Sequence, residues 1–176
     1  MPSSPRPAAA VATAGQDGTA DVFLAVVGRK QGPIKGECRA VGHEDEIAAR
    51  TWCWGMSAPS AIGSTAATRR RVHEELVVTK HLDAASTRLM NALATNEELK
   101  SVTLSLRKAG AGGDDFFTIT LESGRVSDLH VESDDGGGVV EVVKFAFQKI
   151  EVTYHAQLAG GGVGAAQVFQ DELVSP

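Results

Sequence analysis

The feature that most constrains this chain is a succession of short β-like runs, each bounded by turn-forming residues. Val102, Leu104 and Leu106, for example, alternate with polar neighbours. A period of two residues places one set of side chains on each face of a β-strand. Such runs cover residues 22–27, 34–39, 47–54, 72–79, 102–107, 116–122, 126–132 and 139–154. The pattern predicts about eight or nine strands, with glycine-rich hairpin loops at 109–115 and 133–138.

One segment has helical spacing instead. Leu89, Met90 and Leu93 lie on one helical stripe, and either Asp83 or Ser86 can cap the helix start. A single amphipathic helix among many strands must bury its apolar stripe against the sheet. We therefore predict a mainly β fold, an antiparallel β-barrel of about eight or nine strands flanked by one α-helix.

The first 20 residues differ in composition from the rest. They are rich in Ala, Pro, Ser and Gly, which predicts a disordered N-terminal extension, 1–20, followed by one domain, 21–176. The apolar stretch at 8–14 lacks leucine and phenylalanine, so we expect no cleaved signal peptide. No apolar stretch approaches the roughly 18 residues of a membrane-spanning helix, so we expect no membrane anchor.

Charge and cysteine content restrict the function classes. The chain has 17 Lys and Arg against 22 Asp and Glu, a net charge of −5, which argues against nucleic acid as the main partner. Two cysteines, Cys38 and Cys53, do not indicate a disulfide framework. They fit a chain that folds in a reducing compartment such as the cytoplasm.

His43, Glu44, Asp45 and Glu46 form the densest group of potential metal ligands or catalytic side chains. Consecutive side chains cannot all converge on one ion, and the sequence has no HExxH or paired-cysteine pattern. Cys53 lies within a predicted strand, away from any nucleophile elbow. We therefore predict no catalytic residue, metal or cofactor; the alternative is a hydrolase that uses His43 with Glu44 or Asp45. Surface or interface positions are expected for the other histidines, His73, His81, His130 and His155.

Two runs predict specific geometry. Strict alternation in 47–54 gives one face with Ala48, Arg50, Trp52 and Trp54, and another with Ile47, Ala49, Thr51 and Cys53. Because indole rings bury a large apolar area, the tryptophan face should meet the core, and the face with Thr51 and Cys53 should point away. In 139–154 the bulky residues change parity, which predicts a bulge near Gln148 or Lys149 at a barrel corner.

The sequence also has features that suggest assembly. The connection at 56–71 is long for a loop without secondary structure. It ends in Arg69, Arg70 and Arg71, which indicate either a solvated strand edge or a docking surface for acidic groups. A β-rich fold must cover its sheet edges, and copies of the chain closing a ring would do so. The main alternative is a monomeric β-barrel binding module for one effector or ligand.

Several motifs occur together and in order along the chain. They are QGPIKGE at 31–37, GH at 42–43, WCWGM at 52–56, LATNE at 93–97, LRKAG at 106–110 and FQKIEV at 147–152. This succession resembles the haemolysin-coregulated proteins, Hcp, which form the inner tube of type VI secretion systems. The resemblance extends from about residue 21 to residue 173.

The resemblance implies a β-barrel protomer, a homohexameric ring and rings that stack into a hollow tube. It implies as further partners the type VI spike protein, the sheath and baseplate components, and effector proteins carried in the lumen. It also implies a protein that starts in the cytoplasm and is then secreted through the type VI apparatus, to the outside or into a target cell.

The same resemblance suggests roles for individual residues. Loop 56–71 would reach a neighbouring subunit, which makes candidate stacking or inter-subunit residues of Met56, Pro59, Arg69, Arg70 and Arg71. Thr51 and Cys53 would face the lumen. Lys80 and Asp83 match the family's strand-to-helix connection, where an ion pair or cap and an interface contact are both open. The other positions in the family motifs are Trp52, Trp54, Gly55 and Ser86.

Overall fold

The structure is a computed structural model that describes residues 19–58, 71–109, 113–158 and 162–173. The predicted extension 1–20 lies almost wholly outside this range. The elements are β1 Ala20–Gly28, β2 Gly32–Ile34, β3 Ile47–Cys53, β4 Met56–Ser57, β5 Val72–His73, β6 Leu76–His81, α1 Ser86–Ala94, β7 Leu99–Lys108, β8 Phe117–Ser133, β9 Val139–Ala146, β10 Lys149–Gln157 and β11 Val163–Glu172.

Nine of these strands form one antiparallel sheet that closes on itself. The order is β11, β10, β8, β7, β1, β3, β6 and β9, with β2 paired to β1. The additional pairing between β8 and β9 closes a barrel of six strands, and β10 and β11 continue the sheet beyond it. The described residues thus confirm the predicted antiparallel barrel with one helix, and the main sheet has the predicted number of strands.

The barrel corner is made by two strands together. Strand β8 pairs with β9 at Arg125 and Ala146, and with β10 at Glu122 and Lys149, in one continuous register. The predicted bulge near Gln148 or Lys149 is therefore wrong, because a bulge would shift this register. Residues 147 and 148 break the strand instead, opposite a bend in β8 at 123–124.

The bend in β8 has a local backbone cause. Ser123 has a φ of 50°, in the left-handed region that few side chains favour. A Cβ on Gly124 would lie 2.9 Å from the carbonyl oxygen of Ala146, so the close approach of the two strands requires glycine here. After the bend the core-facing parity changes in both strands, from Leu121 to Val126 on β8.

A bulge does occur in β3, where strict alternation was expected. The register with β6 shifts between Ala49 and Thr51, which leaves Arg50 as the extra residue. Ile47 is fully buried and Ala49 packs against the core, so both share the core side with the tryptophans, contrary to the predicted division. Arg50 points outward and donates a hydrogen bond to Asp134 Oδ2 at 3.1 Å.

Two further predicted elements differ in the structure. Strand β2 ends at Ile34, and the segment after it is a loop in which the Gly36 N–H donates to the Asp45 carbonyl at 2.8 Å; the predicted strand 34–39 is therefore wrong. Helix α1 buries Leu89 and Ala92, whereas Met90 is exposed. Ala85, directly before the helix, makes no side-chain cap. The predicted capping is made one turn earlier, because Asp83 Oδ1 accepts from the Ala85 N–H at 3.0 Å and Ser86 Oγ accepts from the Asp83 N–H at 3.1 Å.

Two of the motif segments meet at the end of the helix. The buried Glu97 carboxylate accepts hydrogen bonds from the Lys30 and Gln31 N–H groups at 2.7 and 2.8 Å, and from Gln31 Nε2 at 2.9 Å. The bond from the Gln31 backbone lowers the pKa of Glu97 below its ordinary value, against the opposing effect of burial. Glu97 therefore clamps the β1–β2 turn to the helix end.

Replacing Glu97 with glutamine is expected to lower the free energy of unfolding by about 1–2 kcal/mol, because charge-assisted hydrogen bonds are lost. Urea denaturation measures this, and Glu98→Gln, next to it but in an exposed pair with Arg29, should cost less. Since folding lowers the pKa of Glu97, its contribution is complete above the ordinary Glu pKa and disappears as pH falls through the folded-state value. Equal stabilities of Glu97→Gln and wild type would contradict the clamp.

Candidate assembly surfaces

The outward face of β3 carries two of the predicted site residues. Thr51 and Cys53 are exposed, and Trp52 and Trp54 pack against the core. The Trp52 ring stacks on Phe117 with centroids 5.8 Å apart. The indole rings therefore fix this half of the strand and leave Thr51 and Cys53 available to a ligand or another protein.

The two ends of the 56–71 connection lie next to each other in a short antiparallel ladder, which we call the hairpin. Its stem is formed by β4 and β5, with Met56 opposite His73 and Ser57 opposite Val72. Met56 is exposed. Pro59, Arg69 and Arg70 lie outside the described residues.

The base of this hairpin is fastened by five side chains, named here the hairpin anchor: Trp54, Arg71, His73, Phe147 and Asp171. Asp171 on β11 accepts one hydrogen bond from Arg71 Nη2 to Oδ1 and one from His73 Nε2 to Oδ2, both at 2.9 Å. The His73 ring lies 5.8 Å from Trp54 and 5.9 Å from Phe147, centroid to centroid. The side chain of His73 is 2% exposed in the protomer, so the predicted surface or interface position of this histidine is wrong.

Two side chains of the hairpin anchor stabilise the ionised form of Asp171. The hydrogen bond from His73 lowers the pKa of Asp171 below its ordinary value, and Arg71 adds to this against the effect of burial. Next to the anchor, the Glu74 N–H donates to the Gly55 carbonyl at 2.8 Å, and a Cβ on Gly55 would lie 2.8 Å from Glu74 Oε2. The atom in the way is the end of the flexible Glu74 side chain, so a larger residue at position 55 would have to displace this carboxylate.

Strand β11 is the outer edge of the nine-stranded sheet. Among the described strands it pairs with β10 alone. Its central residues, 165–170, are all exposed and carry no charge; Val168 is 55% and Phe169 37% exposed. Edge strands of monomeric proteins are usually protected by lysine, proline or a bulge. The register between β10 and β11 shifts between residues 163 and 166, but residues 166–170 contain no lysine, proline or bulge, which favours pairing of this part of the edge with another chain.

Lys80 and Asp83 belong to a buried polar cluster. Lys80 Nζ lies 2.8 Å from Asp83 Oδ1 and 2.8 Å from Glu141 Oε2, and donates to Ser86 Oγ at 3.0 Å. The side chains of Lys80 and Glu141 are fully buried. The Ser86 hydroxyl donates to Glu141 at 2.7 Å. The cluster joins β6, β9 and the start of α1, so these residues fix the helix on the barrel.

His43 fastens the loop after β2 to the barrel. Its Nδ1 lies 2.9 Å from Glu46 Oε2 and its Nε2 lies 3.0 Å from Asp115 Oδ1. The ring stacks on Phe23 at a centroid distance of 3.9 Å. Both ring nitrogens thus lie within hydrogen-bond distance of a carboxylate, which holds the ring between the loop and the barrel.

The described part of the chain has neither a cluster of metal ligands nor a membrane-spanning helix. No group of three or more His, Cys, Asp or Glu side chains there is arranged to hold a metal ion. No described helix is long and apolar enough to span a bilayer.

Within the described residues, the protein is a closed β-barrel with an exposed edge strand, β11, and a hairpin stem held against that strand, a geometry that suits a subunit able to pair with another chain. A family model described as "Type VI secretion system effector, Hcp" matches residues 23–154. The chain belongs to the Hcp family and is a type VI secretion tube subunit. Members of this family are secreted and form ring-shaped multimers.

Individual relatives agree with this assignment. The chain is 28% identical over 157 residues to the major exported protein of Pseudomonas aeruginosa, covering 79% of this chain and 91% of that protein. It is 31% identical over 145 residues to the protein hcp1 of the same organism, covering 80% and 86%. The solved Hcp1 structure from Escherichia coli EAEC 042 has a TM-score of 0.70 at 23% identity, covering 88% of this chain and 99% of that one, which shows a shared fold.

Three features of the structure were not predicted from the sequence. They are the partner of Lys80, the burial of His73 and the exposed edge of β11. A signal existed for the first, because Glu141 is a lone carboxylate within the run VVEVV, and a charge in a buried strand requires a partner. The edge had a signal too, in the uncharged stretch AAQVFQ. For His73 the local sequence gives no indication of burial.

Proposed function

We propose that this chain forms homohexameric rings that stack into the type VI tube, and that the seam between protomers includes the free edge of β11. The observation that carries the proposal is this edge, which is exposed, uncharged and without a partner among the described strands. A neighbouring copy would satisfy its backbone N–H and C=O groups. Family membership supports the ring, because Hcp proteins form ring-shaped multimers.

The hairpin supplies the contact between stacked rings in this proposal. Its stem is held against β11 by Asp171, which accepts hydrogen bonds from Arg71 and His73. Met56 and Val72 are exposed on the stem. Exposed apolar residues on a fixed protrusion favour contact with another protein surface.

The remaining roles follow from the tube. Effector proteins would travel in the lumen, and the spike, sheath and baseplate components would act on the assembled tube. The protomer would fold in the cytoplasm and leave through the type VI apparatus without a cleaved signal peptide. These roles make the chain a structural carrier rather than an enzyme.

Size-exclusion chromatography with light scattering tests the proposal. A ring predicts roughly six times the protomer mass of 18.4 kDa. Negative-stain images of the same fraction should show annular particles. A single folded chain at high concentration, with no such particles, would reject the proposed function.

Labelling of Cys53 tests which side of the ring β3 presents. The exposed thiol should react with a small maleimide in assembled rings if it faces an open lumen, and much more slowly with a maleimide too bulky to enter the channel. Dissociated protomers provide the control, because both reagents should then react at similar rates. Protection of Cys53 from the small reagent in the ring would instead place this face in an interface.

A further inference from the structure

One carboxylate connects the edge strand to the base of the hairpin. Asp171 lies near the end of β11, opposite Ile150 of β10. Its Oδ1 accepts a hydrogen bond from Arg71 and its Oδ2 accepts one from His73, so each oxygen holds a different residue of the hairpin base. A displacement of β11 therefore moves the acceptor of both bonds.

The hairpin depends on this contact for its orientation. Its stem contains two residue pairs, and a two-stranded hairpin of this length is marginally stable by itself. The other members of the hairpin anchor, Trp54 and Phe147, contact the His73 ring through stacking and edge packing, which is less directional than a charge-assisted hydrogen bond. Asp171 is thus the residue that sets the direction of the stem.

The strand that carries Asp171 is held on one side. Within the described residues of one protomer, β11 pairs with β10 and with no other strand, and both faces of 165–170 are exposed. Strands with exposed hydrogen bonds and few buried contacts open at low free energy. Pairing with a neighbouring copy would add hydrogen bonds along the free edge and suppress this opening.

We propose that Asp171 couples ring closure to tube stacking. Pairing of β11 with a neighbouring protomer fixes the position of Asp171. Asp171 in turn holds the hairpin stem in the orientation in which the hairpin contacts the next ring. The inference rests on the proposed ring. Because coupling between two sites is reciprocal, docking of the hairpin on a second ring would also stabilise the seam. Asp171 is a positioning residue in this scheme.

Hydrogen exchange with mass spectrometry tests the coupling in the full chain. The reporter is the stem amides, including the Glu74 N–H that donates to Gly55. Exchange of the stem should be about tenfold faster in protomers than in wild-type rings. Dissociated protomers are obtained with Val168→Lys, which adds a charge to the free edge.

Asp171→Asn separates the coupling from assembly. The asparagine keeps the size of the side chain but loses the charge, so the variant should still form rings. Stem exchange in these rings should be fast, and equal to that in protomers of the double variant Asp171→Asn/Val168→Lys. Asp128→Asn is the matched control, because it removes an exposed pair with Lys144 and should leave stem exchange slow. Arg71→Ala, a side chain 60% exposed, should act like Asp171→Asn, and it provides a second test if the asparagine variant does not fold.

Two results would overturn the coupling. One is equal stem exchange in wild-type rings and in protomers. The other is slow stem exchange in Asp171→Asn rings, because ring-dependent protection would then persist without Asp171. Loss of rings in both Asp171→Asn and Arg71→Ala would also reject it, because Asp171 would then act in the seam itself. A monomeric wild-type protein would reject both the proposed ring and the coupling. Rings whose stem exchange does not depend on Asp171 would reject the coupling alone, so the two failures can be told apart.

Discussion

Lys80→Met is expected to lower the free energy of unfolding by about 3–5 kcal/mol, the largest loss of stability among the variants considered. Lys80 is the cation of a fully buried cluster that includes the carboxylates of Glu141 and Asp83. Methionine fills a similar volume, so the loss comes from the charge. Glu141 would be left in the interior with the Ser86 hydroxyl as its remaining partner, and an unpaired buried carboxylate is strongly destabilising.

Two variants show that the effect is one of pairing. Lys144→Met, on the same strand as Glu141, removes an exposed pair with Asp128 and should cost less than about 1 kcal/mol. Lys80→Met/Glu141→Leu should recover much of the loss, because no fully buried charge is then unpaired; the remaining carboxylate, Asp83, is partly exposed and keeps its hydrogen bond from the Ala85 N–H. Urea denaturation at matched protein concentration measures all three, since assembly adds apparent stability. A loss below about 1 kcal/mol for Lys80→Met would contradict a charged native pair.

The cluster also illustrates what local sequence can and cannot predict. Lys80 and Asp83 are three residues apart, and their motif suggested an ion pair or an interface contact from the sequence. Glu141 is 61 residues from Lys80, and its contact depends on the pairing of β6 with β9. The lone carboxylate in VVEVV indicates that Glu141 needs a partner, but no local pattern specifies which strands become neighbours, so the sequence did not identify Lys80 as that partner.

The corrections in strand geometry have a similar origin. Alternation predicted correctly that Trp52 and Trp54 pack inward, with Thr51 and Cys53 exposed. It missed the bulge at Arg50, because a bulge is defined by the register with the partner strand. At the corner, the parity change in 139–154 was a real signal, but a bend shared by two strands and a bulge in one of them produce the same sequence pattern.

The fold class was predictable because it depends on periodicity summed over the whole chain. The hairpin anchor was not predictable, since it depends on one contact between residues far apart in the sequence. His73 and Asp171 are 98 residues apart. The polarity of His73 suggested a solvent-exposed position, whereas in the structure its ring stacks on Trp54 and packs edge-on against Phe147, and its Nε2 donates to Asp171. In the folded chain, a histidine that the sequence placed at the surface is therefore buried in the hairpin anchor.

Val168→Lys is expected to abolish ring formation, reducing the particle mass from roughly six protomers to the 18.4 kDa of one chain. Val168 is exposed in the middle of the free edge, opposite Thr153 of β10. A lysine there would be solvated in the protomer, so the fold should be retained. In the ring each of the repeated seams would have to bury or displace an ammonium group, and natural edge strands use lysine to prevent such pairing.

Val41→Lys is the matched control for this experiment. Val41 is 80% exposed in the loop after β2, outside the sheet, so the same substitution there should leave the ring intact. Light scattering reports the mass of each variant, and circular dichroism with thermal melting shows whether the protomer is folded. If Val168→Lys still forms rings of wild-type mass, the seam does not include β11. If both variants dissociate, added charge alone disrupts the ring, and the edge strand has no special part in closing it.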